Sequence, residues 1–177
     1  MSGNRALGLG GLAWSQLVAR DYEAARETAE EAVRISMAPI DRIIGTVMVA
    51  AALVLMGRTA EGSGALRDYV SDAIRSGLAI GLPTSEQLVG VGMVLEGDFG
   101  GGIRAIAGSE RLHPSRGSPF ARPFRDEMLG ETYLQMAIGG KKPPLAVMLR
   151  NFWFLARTLP VAARRARHHL EAALEWG

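Results

Sequence analysis

Three short turns recur along the chain and constrain its fold more than any other feature. Arg20-Asp21-Tyr22, Gly57-Arg58-Thr59 and Gly97-Asp98-Phe99 each separate two helical runs. Tyr22 lies 37 residues before Thr59, and Thr59 lies 40 before Phe99. At a constant offset upstream of each turn stands a small residue: Ala13, Ala50 and Gly90. Three residues past Tyr22, Thr59 and Phe99 stands another: Ala25, Gly62 and Gly102. Small residues at fixed places on both arms let two helices cross closely. Helix pairs recurring at this period are the mark of a stacked helical repeat.

The helices follow from their punctuation. Asn4 can cap a first helix running to about Ala19, weakened by Gly8, Gly10 and Gly11 unless a neighbour packs closely there. Asp21 caps a second, Tyr22–Ile35, with Ala25, Thr28, Ala29, Ala32 and Ile35 on one stripe and acids on the other. Pro39 opens a third that stops at Gly57. Thr59 caps a fourth ending near Ser76, whose Gly62 and Gly64 also ask for close neighbours. Pro83 and Thr84 start a fifth; Asp98 caps a sixth, Phe99–Arg111. His113 to Gly117 reads as a loop, and Ser118-Pro119 opens the next helical region. A seventh helix, Phe124–Ile138, and a last one, Val161–Glu175, are separated by about twenty extra residues. No run alternates with period two between turn residues, so no sheet is predicted.

Composition excludes several functions. The chain has 177 residues, enough for one domain with a real core, and 48% of them are hydrophobic, too many for general disorder. It has no cysteine, which removes disulfides, thiolate zinc sites and thiol catalysis. Net charge is only +2, so bulk charge does not argue for nucleic acid. The N-terminal stretch lacks the pattern of a signal peptide, and Ile43–Gly57 is too short to span a bilayer; a cytoplasmic location is expected.

Charge is unevenly spread. Asp21, Glu23, Glu27, Glu30 and Glu31 make the first pair acidic. From Thr132 to Leu170 there is no acid at all, but there are Lys141, Lys142, Arg150, Arg157, Arg164, Arg165 and Arg167. Within that window lies the most aromatic run of the chain, Phe152-Trp153-Phe154.

The turns and small residues resemble tetratricopeptide repeats. The first repeat matches with Ala13, Asp21-Tyr22, Ala25 and Ala32, and Pro39 stands near the motif's terminal proline; Leu9 stands at the motif's tryptophan place. The second departs with Thr59 and Gly62, the third with Gly102. The fourth has Gly130 and Tyr133 on its first helix and Ala166 and Ala173 on its second. The run Leu129–Glu175, with its Pro-Pro and Leu-Arg-Asn-Phe insert, resembles the C-terminal repeat region of bacterial class III adenylate/guanylate cyclases. That resemblance implies a regulatory module of a signalling protein. No cyclase core and no GxxxxGK[ST] phosphate loop accompany it, so it implies no catalysis by this chain.

The expected fold is all-α: one tetratricopeptide-like, right-handed α-solenoid of three to four helix pairs. Its repeats would span about 4–37, 39–77, 83–112 and 119–176, with an inserted helix within 139–160 of the last pair. No cofactor or metal is expected. The Gly-rich stretches at Gly8–Gly11 and Gly100–Gly102 follow no strand. His168 and His169 point about 100° apart on a helix. Asp126, Glu127 and Glu131 suit the start of a helix, and a catalytic site would need a pocket joining Glu127, Glu131 and His168.

Two surfaces are the candidates for binding. A groove along the first helices of the pairs would present Gln16, Met93 and Tyr133. On the insert, Leu145, Met148, Leu149, Phe152, Leu155 and Ala156 form one apolar stripe, widened by Trp153 and Phe154, with Arg150, Asn151 and Arg157 off it. Either this stripe packs against the last repeats and its arginines are solvated, or Arg150, Trp153 and Arg157 mark a docking patch. The partner would be a protein or a neighbouring domain; an anionic membrane is the alternative. Open solenoid ends, near Trp14 and Trp176, would expose apolar faces that either self-associate, as a homo-oligomer, or lie against neighbouring domains.

Overall fold

A computed structural model of the protein describes residues 2–76, 82–112, 121–139 and 143–175. Every regular element among them is helical, as the all-α expectation requires. The loop at His113 to Gly117, Ser118-Pro119, Lys141, Lys142 and Trp176 lie outside the described residues. The chain forms two compact units, 1–81 and 82–177, divided between the second and third expected repeats.

The first unit holds α1 (Ser2–Val18), α2 (Tyr22–Ile35), α3 (Pro39–Leu55) and α4 (Thr59–Ser76). Each packs on the next, and α1 also packs on α3. The second holds α5 (Leu82–Leu95), α6 (Phe99–Gly108), a 3-10 turn over Ser109–Leu112, α7 (Ala121–Ile138), α8 (Leu145–Arg150), α9 (Phe152–Thr158) and α10 (Ala162–Leu174). Here α5 packs on α6 and α7, and α7 packs broadly on α10. The sixth helix is shorter than predicted because its last turn tightens at Ser109, and α1 starts at Ser2, ahead of Asn4.

The three turns share one backbone geometry. Arg20, Gly57 and Gly97 have φ of 63°, 85° and 84°, the left-handed conformation that ends a helix. Around each, two hydrogen bonds close in the same register. The amides of Asp21, Arg58 and Asp98 donate to the carbonyls of Gln16, Leu53 and Met93; those of Arg20, Gly57 and Gly97 donate to Leu17, Val54 and Val94. Asp21 and Asp98 then cap the following helix, accepting from the amides of Ala24 and Gly101. In the middle turn Arg58 instead pairs with Glu61.

The small residues lie where the paired helices cross. Ala13, Ala25 and Ala50 are buried, as are Gly62, Gly90 and Gly102. A Cβ on Gly62 would sit 2.6 Å from the Ala50 carbonyl oxygen and 2.8 Å from the Val54 nitrogen. One on Gly90 would sit 2.8 Å from the Gly102 carbonyl oxygen. The remaining glycines of α1 and α4 differ: Gly10 approaches Ile44, but Gly8, Gly11 and Gly64 face open space, so close packing does not explain them.

In the second unit the core comprises Ile103, Ile106, Leu129, Tyr133 and Ala166. Beside it, buried Gln87 on α5 donates through Nε2 to Ser109 Oγ and to the Ala121 carbonyl, both at 2.9 Å. One amide thereby fixes the end of α6 and the start of α7 against α5.

Two glycines on one helix should respond oppositely to the same substitution. Gly62→Ala should destabilise the protein by about 1–3 kcal/mol through overpacking. Gly64→Ala, in open space, should stabilise it by up to about 1 kcal/mol through helix propensity. Chemical unfolding followed by circular dichroism measures both; equal shifts would contradict the crossing geometry.

Candidate interaction surface

The insert is built on the turn that ends α5. Gly97 leaves α5 with its left-handed φ of 84° and no side chain, so its carbonyl is open to an approaching group. A Cβ there would sit 2.8 Å from Val147 Cγ1. Asn151, which is buried, donates through Nδ2 to the Gly97 carbonyl at 2.7 Å and to the Val147 carbonyl at 2.8 Å. Arg150 adds a bond from Nη2 to the Glu96 carbonyl at 3.3 Å.

That anchor breaks the insert. The sequence predicts one helix over Leu145–Arg157; the chain forms α8 and α9, with Asn151 at the break (φ −101°, ψ 10°). It also decides between the two orientations that the sequence left open. The inward residues are Val147, Asn151, Phe154, Leu155 and Thr158, which fall on one helical stripe across the break. Phe154 packs on the core around Ile103, Leu129 and Tyr133. The apolar stripe points outward for most of its length. Leu145 is 70% exposed and Trp153 74%, and Met148, Leu149 and Phe152 are exposed with them. Phe152 and Trp153 meet edge to face at 5.5 Å. Arg157 is exposed beside them, as is Arg150. The reason is geometric: Asn151, seated on the Gly97 carbonyl, shares an inward stripe with Phe154, so the opposite stripe is left at the surface. Asn151 satisfies that carbonyl, and the apolar stripe is turned away.

Arg150 thus lies exposed at the end of α8, and Trp153 and Arg157 lie exposed on α9. The predicted groove residues lie on three helices, α1, α5 and α7. Gln16 lies half-buried on α1, in the first unit. Met93 lies half-buried on α5, its Cε against Gly101 within its own hairpin. Tyr133 corrects the expectation most clearly: it is 5% exposed, a core residue and not a groove residue.

Tyr133 instead belongs to a polar clasp between α7 and α10. His169 stacks on its ring at 5.9 Å, and the Arg165 guanidinium lies 5.4 Å from the ring centre and donates to its hydroxyl at 3.2 Å. The next group in the clasp is Asp126. Its carboxylate is bonded by Arg125 at 2.8 Å and by His169 Nδ1 at 2.8 Å. Sequence reading singled out Glu127, Glu131 and His168 for such a meeting. Asp126 was legible as the inner acid, since it shares a helical stripe with Leu129, Gly130 and Tyr133. Among the described residues no three His, Asp or Glu side chains come together as metal ligands.

Compared with known proteins, the chain matches no family model, no curated protein and no solved structure.

Burial raises the pKa of Asp126, but the bonds from Arg125 and His169 outweigh it and hold the carboxyl below the ordinary aspartate value. A depressed carboxylate stabilises the fold fully above its unfolded pKa of about 3.9 and loses that contribution as pH falls through the folded value. The wild type should therefore lose stability below about pH 4 more steeply than Asp126→Asn. At neutral pH the variant should be less stable by about 1–3 kcal/mol. Chemical unfolding at a series of pH values checks both slopes.

Proposed function

We propose that the chain is a tetratricopeptide-like interaction module, a right-handed α-solenoid of a nucleotide-cyclase-type signalling protein. It works by binding and carries out no bond chemistry of its own. Support for the repeat reading comes from three turns of one geometry and from buried small residues at equivalent places on both arms. The packing of α1 on α3, and of α5 on α7, is what stacking of successive pairs requires.

The observation that carries the binding reading is the outward face of α8 and α9. Five large apolar side chains stand exposed there beside Arg150 and Arg157, in a window of sequence without acids. Large exposed apolar patches mark contact sites, and Trp and Arg are the residues most often dominant in them. The partner that fits is a protein segment of opposite pattern, an amphipathic helix with leucine or aromatic side chains flanked by carboxylates.

An anionic membrane is the second reading, because an interfacial element also joins aromatic and basic residues. No helix among the described residues is long and apolar enough to cross a membrane. The protein reading is preferred because the exposed arginines of the face are few, and each basic residue contributes only about 1 kcal/mol toward an anionic surface.

Selection from a random displayed-peptide library tests the choice. Enriched peptides should combine Leu, Phe or Trp with Asp or Glu. Trp153→Ala with Arg157→Glu should weaken them at least about tenfold, with the fold intact by circular dichroism. Peptides that ignore the two substitutions would refute the surface. Absence of enrichment, with cosedimentation on phosphatidylserine vesicles, would assign the face to lipid.

A further inference from the structure

A second apolar surface lies apart from the insert face, on α7 and α10. These helices leave between them an open groove of about 510 Å³. Leu134, Ala137 and Ile138 line it from α7, and Ala163, Leu170 and Leu174 from α10. Ile138 and Leu174 are largely exposed. The residues from α10 recur at helical spacing, so the groove follows one face of that helix for its whole length.

The charges along this face are ordered. Arg164 and Arg167 stand in the first half of α10, and Glu171 and Glu175 at its end; Arg167 and Glu171 line the groove itself. This order opposes the helix macrodipole, which favours acids at the start and bases at the end. Stability of the isolated helix therefore does not account for it. An antiparallel copy of the same helix does. Turned about a two-fold axis near His169, Arg167 faces Glu171 of the second copy, and Arg164 faces Glu175. The same axis sets Leu174 over Ala163 and brings Leu170 to the centre. One operation thus matches both charge pairs and the apolar stripe, as a self-complementary two-fold interface requires.

We propose that the α7–α10 face is a homodimer interface, in which two copies close their grooves on each other as a four-helix layer. The dipoles of the two α10 helices then run antiparallel, and each acidic end lies against a basic start. The inference does not depend on the insert face or on the repeat family.

Sedimentation velocity of the full chain across a wide concentration range tests it. A monomer–dimer equilibrium is expected, weakened at least tenfold by Leu174→Glu. A charge experiment then identifies the face. Arg164→Glu with Arg167→Glu makes the edge wholly acidic; Glu171→Arg with Glu175→Arg makes it wholly basic. Each double variant should be monomeric alone, and an equimolar mixture should dimerise, more weakly in high salt. A wild type that stays monomeric throughout would overturn the proposal and leave the groove to a different occupant. So would a dimer that survives all of these substitutions, or double variants that fail to combine. Trp153→Ala with Arg157→Glu should dimerise as the wild type does, which keeps this test separate from that of the insert.

Discussion

Close approach of backbones at helix crossings is the constraint on which the rest of the structure depends. Where Gly62 meets Ala50 and Val54, and where Gly90 meets Gly102, the missing methyl group lets the two backbones approach without overpacking. Glycine lowers the intrinsic helix preference of α4 and α6, so these helices owe their existence to the partner they cross. The turn sets the angle at which they do so. A left-handed residue ends one helix, and in two of three turns an aspartate starts the next within a single residue. Turn and crossing form one device, which is why they recur together along the sequence.

The turn at Gly97 is used twice. Like its counterparts it reverses the chain between two helices. Unlike them it also offers its carbonyl to Asn151, 54 residues later, and thereby seats the insert. The absent side chain serves both ends, permitting the positive φ and admitting Val147. Once a polar group fixes one face of α8 and α9, the apolar residues on the opposite face have no way inward. The exposed Trp153 and Leu145 are a consequence of that seat and not of weak packing, since Phe154, one residue on from Trp153, is drawn into the core.

What could be read from the sequence follows the range of the interactions concerned. Helix ends at Gly57, Asp98 and Pro39 are decided within a few residues, and they were legible. Burial of Ala13, Ala25 and Ala50 followed from spacing alone. The insert's orientation was not legible, because periodicity assigns a polar residue to solvent and says nothing of a carbonyl waiting elsewhere in the fold. The cue was a lone Asn among apolar residues. Asp126 and His169 stand 43 residues apart, and their meeting depends on the rotation of α7 against α10. Tyr133 was misplaced for the same reason: its stripe was visible, but which side of α7 met α10 was not.

Charge pattern separates the two exposed apolar surfaces. A two-fold axis brings each patch against itself, so a patch of one sign repels its own copy. The insert face carries arginines and lies in a stretch of chain without acids, which is the pattern that the proposed partner of opposite sign would match. The α7–α10 edge changes sign along its length, and an antiparallel copy turns that change into attraction. The arrangement lowers the intrinsic stability of α10, because bases stand at its start and acids at its end. A pattern that disfavours the helix alone but favours its antiparallel pair makes sense if the pair is the functional state.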